Sequence, residues 1–141
     1  MLKIGTKIDE VRIDGDLKRF RADLERFAET GLEAVELPVN GVDAIKNGRL
    51  DKRQVSKIKE ILKDFNFAYS IHSPNPLNLM DRERLELHIS VFRASLEFAG
   101  EIGSKIVVYH PGRYIPEESF PVNGKNDLPD DEKQRLLIIE A

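Results

Sequence analysis

The chain has 141 residues, 40% apolar and 33% charged, with no cysteine, no tryptophan and a formal net charge of −3. That length predicts one domain over residues 1–141 and is too short for a complete eight-stranded α/β barrel, which takes about 250 residues. No apolar run exceeds four residues, so no membrane span is expected, and the first twenty residues lack the apolar stretch of a secretory signal. Without cysteine there is no disulfide framework or thiolate metal site, and a cytoplasmic location is the expectation by elimination. The acidic balance, with a pI of about 5.7, argues against a dedicated nucleic-acid binder.

A unit of short apolar strand, turn, amphipathic helix and helix stop recurs along the chain. The first strand is read at Leu2 to Thr6. A helix follows from about Asp16, with Leu17, Phe20, Leu24, Phe27 and Ala28 on one face and Gly31 just past its end. The second strand is Glu33 to Pro38, followed by a polar loop through Gly41 and Gly48. Asp51 and Gln54 have the spacing of a capping box and open a helix carrying Val55, Ile58, Ile61, Leu62 and Phe65, with Asn66 as its stop.

The third strand is Phe67 to His72. A proline- and asparagine-rich loop, Ser73 to Met80, leads to Asp81 as the N-cap of a third helix. That helix runs to about Ile102, with Leu85, Ile89, Phe92, Leu96 and Ala99 as its buried stripe and His88 one position off it, partly exposed. The fourth strand is Lys105 to Tyr109. A loop from His110 to Pro129 and a final helix near Asp130 to Glu140 complete the reading.

Strand starts recur at roughly 30–38 residues, the length of one strand plus a crossover helix. Four successive βα units with a parallel sheet are therefore expected, either as an open flavodoxin-like sheet or as the first half of a TIM (β/α)8 barrel. No glycine-rich phosphate loop follows the first strand, where Gly5-Thr6-Lys7-Ile8-Asp9 lacks the dinucleotide spacing.

Active sites of parallel α/β folds are built at the carboxyl ends of the strands. There this chain places Glu36 within the second strand, His72 at the end of the third and His110 at the end of the fourth. Imidazole and carboxylate together suit zinc, manganese, cobalt or iron. A single strand-end histidine is more often structural; two on neighbouring strands at one level strengthen the ligand reading. Glu36 serves equally well as an ion-pair partner of a nearby cation. Lys46 to Lys63 holds seven basic against two acidic residues, but falls mostly on one helix and reads as its solvated face.

Three segments carry a resemblance to a known group: Gly31-Leu32-Glu33-Ala34-Val35-Glu36-Leu37, His72-Ser73-Pro74-Asn75-Pro76-Leu77-Asn78-Leu79 and Val107-Val108-Tyr109-His110-Pro111-Gly112. They resemble the xylose-isomerase-like TIM-barrel superfamily, which includes sugar-phosphate isomerases and epimerases and the endonuclease IV enzymes. The resemblance covers the N-terminal half of such a barrel. It implies a divalent metal (zinc, manganese, cobalt or magnesium) held by His72 and His110, with Glu36 and Asn78 toward a sugar substrate. Endonuclease IV-like proteins carry a histidine where this chain has Lys7 and an aromatic where it has Asn75.

The expected function is thus a metal-dependent sugar or sugar-phosphate isomerase or epimerase. The resemblance puts its proton-transferring carboxylates beyond residue 141, so this chain alone is expected to be inactive. The alternatives are an endonuclease IV-like hydrolase of abasic DNA and a non-catalytic half-barrel. Exposed sheet edges of a half-barrel would favour a homodimer.

Overall fold

Helical and strand periods alternate along the chain, and the elements follow them. The computed structural model describes residues 3–112. In chain order these form β1 (Gly5–Lys7), α1 (Glu10–Ile13), α2 (Leu17–Glu29), β2 (Ala34–Pro38), β3 (Ile45–Lys46), β4 (Arg49–Leu50), α3 (Lys52–Leu62), β5 (Ala68–His72), α4 (Leu85–Ile102) and β6 (Val107–Val108). The expected final helix, and the loop leading to it from residue 113 on, lie outside the described residues.

One parallel sheet has the order β1-β2-β5-β6, and a separate antiparallel hairpin joins β3 to β4. Sheet order therefore equals chain order. A doubly wound sheet would reverse direction at a switch point; this one advances strand by strand, as a barrel wall does. That settles the choice between the open sheet and the half TIM barrel in favour of the barrel.

Strand alternation separates two faces. Val35, Leu37 and Ile71 are buried with Phe20, Leu24, Val55, Ile58 and Phe98 in one hydrophobic core under the helices. Burying each such large side chain contributes about 1.5–3 kcal/mol. Glu36, Ser70 and His72 alternate with these and occupy the opposite face, the interior of the half-barrel.

The two early amphipathic helices start where the sequence pattern places them. Asp16 accepts from the N–H groups of Lys18 and Arg19, and Asp51 from those of Arg53 and Gln54. The capping box is only half formed, because Gln54 Nε2 donates instead to the Val42 carbonyl at 3.1 Å and ties α3 to the preceding loop. That loop is not irregular throughout. Asn47 (φ 51°) and Gly48 (φ 70°) form the turn of the β3–β4 hairpin, a pair of left-handed residues for which Asn-Gly is suited. A Cβ on Gly48 would come 3.2 Å from Ser90 Cβ, so the turn docks directly on α4. The short helix α1, capped by Asp9, is a further addition; its Arg12 pairs with the buried Asp23 of α2.

The fourth helix differs most from its sequence reading. Asp81 accepts from the Glu83 and Arg84 N–H groups, but the helix begins only at Leu85. Its buried face is His88, Ala94, Ser95, Phe98 and Ala99, whereas Leu96 is 48% exposed and Ile89 36%. Packing decides this: small side chains let the helix approach its neighbours closely, and Ser95 is buried without penalty because its hydroxyl donates to the Val91 carbonyl.

His88 is correspondingly buried rather than partly exposed. Its Nδ1 accepts from the Asn78 N–H at 3.2 Å, so the ring proton sits on Nε2, which donates to Asp81 Oδ2 at 3.3 Å. Burial works against the Asp81 charge, yet bonds from the Arg84 backbone and guanidinium and from His88 outweigh it and hold the carboxyl below its ordinary range. This chain of bonds anchors the loop after β5 to α4.

Two outcomes follow from these contacts. Backbone N–H bonds, from Lys18 to Asp16 and from Gln54 to Asp51 foremost, hold both capping carboxyls below their ordinary value of 3.8. Their contribution to stability is therefore complete above that pH and lost as pH falls through the lower folded-state values. Replacing both by asparagine keeps a cap without the charge, so the thermal midpoint of D16N/D51N should fall less steeply than the parent's below about pH 4; parallel curves would refute the assignment. His88→Ala should cost about 1–3 kcal/mol by stranding the buried Asn78 N–H, and hydrogen exchange at that amide should accelerate more than at the α2 amides.

Candidate functional site

The site grows from the register of β5 and β6. His72 pairs with Val108, and Pro38 of β2 pairs with His72, so the carboxyl ends of three strands stand side by side. His110 follows Val108 by two residues and shares its face. The two histidines meet: Nε2 of His72 lies 3.1 Å from Nε2 of His110, with the rings perpendicular and their centroids 4.8 Å apart.

The protons on these rings can be placed from their partners. His72 Nδ1 lies 2.8 Å from the Ser73 carbonyl oxygen, which can only accept, so Nδ1 carries the hydrogen. Nε2 of His72 is then a bare lone pair, and His110 donates to it from its own Nε2. His72 is 5% exposed. Burial first, and then the nearby Lys7 charge, push its pKa down, against the opposing effects of the Ser73 carbonyl and Glu36. A neutral imidazole with its second nitrogen bonded to a backbone carbonyl is how a metal-binding histidine is normally oriented. Two imidazole nitrogens on one ion at about 2.0–2.1 Å stand roughly 3–3.4 Å apart. The observed separation fits that span, so a divalent ion could take the place of the proton between the rings. Among the described residues no group of three or more His, Asp or Glu side chains is placed to hold a metal ion; the convergence is that of the imidazole pair.

Glu36 stands one layer below. Its register neighbours are Lys7 of β1 and Ser70 of β5, and these line a depression of about 270 Å³ on the interior face. Glu36 is half-buried there and within electrostatic reach of His72. Asn78 is 6% exposed, and its Oδ1 accepts the Met80 N–H at 3.1 Å, so the amide shapes the turn of its own loop. The structure thus brings His72, His110 and Glu36 to one face and places Asn78 in the loop beside them.

That loop, residues 73–81, is held on three sides. Asn75 Nδ2 donates to Glu10 Oε1 at 2.6 Å, the Asn78 N–H reaches His88, and the Leu79 N–H reaches the Tyr109 hydroxyl at 3.2 Å. Glu10, Tyr109 and His88 are the supporting residues that sequence reading did not single out as such. Tyr109 precedes His110 and His88 sits beside an apolar stripe, but neither position announces a bond to a loop. A groove of about 420 Å³ opens on the other side of the loop, against the hairpin and α4, lined by Ile45, Pro76, Leu77, Leu87 and Val91 among others. Neither His72 nor His110 lines it.

Comparison with known proteins agrees with the fold that carries this site. A solved structure described as a D-tagatose 3-epimerase-like protein superposes with a TM-score of 0.60 at 22% identity, covering 98% of this chain and 47% of its own. The likeness is one of fold, and this chain spans about half of that barrel protein. The uncharacterized protein MJ1311 of Methanocaldococcus jannaschii is 29% identical over 100 residues, 68% of this chain and 32% of that protein. Residues 24–138 match the xylose isomerase-like TIM barrel family as a whole, and on a match of that extent the chain belongs to this family.

Proposed function

We propose that this chain forms the metal-gripping part of a divalent-metal-dependent sugar or sugar-phosphate isomerase or epimerase. The observation that carries the reading is the 3.1 Å approach of the His72 and His110 Nε2 atoms at adjacent strand ends, with the His72 tautomer set by the Ser73 carbonyl. Family membership supports it, as does a fold neighbour described as epimerase-like. A bound zinc, manganese, cobalt or magnesium ion would polarise a carbonyl or hydroxyl oxygen of the sugar.

The chain's own residues do the rest of what is proposed here. His72 and His110 hold the ion, and the Ser73 carbonyl keeps His72 in its ligand tautomer. Glu36 contacts the substrate or a water on the ion from the layer below. Asn78 serves the substrate through the loop whose turn it shapes. The carboxylates that move the proton are assigned outside the described residues. The substrate is a small sugar rather than a nucleic acid.

Titration calorimetry with manganese or zinc tests the metal reading. The H72A/H110A variant should bind more weakly by more than the about 10–100-fold that loss of an outer partner costs; unchanged affinity would refute the assignment. The sheet also leaves β1 and β6 at its edges among the described residues, with Ile4 68% and Ile106 60% exposed beside them. We extend the proposal to pairing of these edges with a second copy when no further barrel strands are present. Light scattering at high concentration should then give a dimer mass, and a monomer mass would remove that part.

A further inference from the structure

The interior face carries a cation that the imidazole pair does not account for. Lys7 closes β1 and stands in register with Glu36, yet its Nζ pairs with Glu10, 2.7 Å from Oε2. Glu10 is itself held by Asn75 Nδ2 through Oε1. It is also backed by Gly41, where a Cβ would lie 2.8 Å from the Glu10 Cα. The segments following β2 and β5 therefore both pack on Glu10, which follows β1, and the Glu10 carboxylate holds the Lys7 ammonium. The Glu10 side chain is 14% exposed and that of Lys7 35%.

A lysine held this way gives up the rotamer freedom that a solvent-facing one keeps. Held against a carboxylate, its Nζ is placed for a charge role and not for that of an amine nucleophile. An ammonium has three N–H donors, and Glu10 is the one ion-pair partner of Lys7 among the described residues. The remaining donors are available beside the depression that Lys7 shares with Glu36 and Ser70. Lys7 is one layer below His72, about 7 Å along the strand, and two strands away, about 10 Å across. That backbone offset is one that a chain of five or six carbons, together with the two side chains holding its ends, can span.

We propose that Lys7 binds an anionic end of the substrate, a phosphate or a carboxylate, so that the site prefers acidic sugars to neutral ones. This deepens the sugar-handling reading and rests on it, but its test does not depend on the metal. Binding of D-fructose, D-fructose 6-phosphate and D-gluconate to the full chain is measured by calorimetry, with and without manganese.

At least one acidic probe should bind the parent about 10-fold or more tightly than D-fructose, as a charge-assisted contact would give. Lys7→Gln should erase that preference and leave D-fructose affinity within about 2-fold, while Lys7→Arg retains it. In the parent the preference should also shrink as salt is raised, a readout that needs no variant. A stronger phosphate arm identifies phosphorylated sugars, and a stronger carboxylate arm sugar acids. Equal binding of all three probes, no binding of any, or a preference that survives K7Q would overturn the proposal. So would K7Q weakening all three alike, since that marks a structural role. Loss of metal binding by the parent would instead defeat the metal reading, and leave an acid preference of the metal-free chain standing.

Discussion

The parallel pairing of β1, β2 and β5 is the constraint on which everything else depends. Side chains alternate across a strand, so one register assigns Val35, Leu37 and Ile71 to the core and Lys7, Glu36, Ser70 and His72 to the interior face. A slip by one residue would exchange the two sets, putting a carboxylate and an imidazole beneath the helices. The apolar core therefore fixes which polar groups face one another. Polar chemistry on the interior face is a consequence of hydrophobic burial on the other side.

Upon that frame the loop after β5 is built as a set of backbone and side-chain bonds to three different elements. Glu10 reaches it from α1, His88 from α4 and Tyr109 from just beyond β6. Loops ordinarily gain mobility from solvent-exposed backbone groups; here several of those groups are bonded inward. The result is that Ser73, whose carbonyl determines the His72 tautomer, follows a strand end and precedes an anchored segment. Tautomer control of one ring is thus linked to packing of a helix whose buried face contains His88.

Charge is arranged with similar economy. Lys7 and Glu36 sit in register, but the ammonium is drawn to Glu10, which leaves Glu36 without an ion pair to Lys7 and half-buried beside the depression. His72 is kept neutral chiefly by burial, with Lys7 adding to the effect. A buried neutral imidazole, an ammonium held by Glu10 and a carboxylate with no ion-pair partner among the described residues occupy one face.

Much of the architecture was legible in the residues themselves. Apolar spacing of three and four with Asp16 and Asp51 ahead of it specifies α2 and α3, because those spacings and caps act within a few residues. Short apolar runs at regular intervals specify the strands, and they put His72 and His110 at the ends of two of them. Local signals failed where packing between distant segments decides. The large side chains of α4 suggested a stripe through Ile89 and Leu96, but close approach to the sheet and hairpin selects Ala94, Ser95 and Ala99 instead. The Asn47-Gly48 turn carried its own hairpin signal, which short two-residue strands obscured. The 3.1 Å meeting of His72 with His110, and the bond from Glu10 to Asn75 across 65 residues, exist only through register and loop anchoring. Sequence by itself determined the βα succession and the types of group at the strand ends, since those depend on local periodicity. Tertiary structure alone decided which of those groups touch, because contact between strands is set by how the core packs.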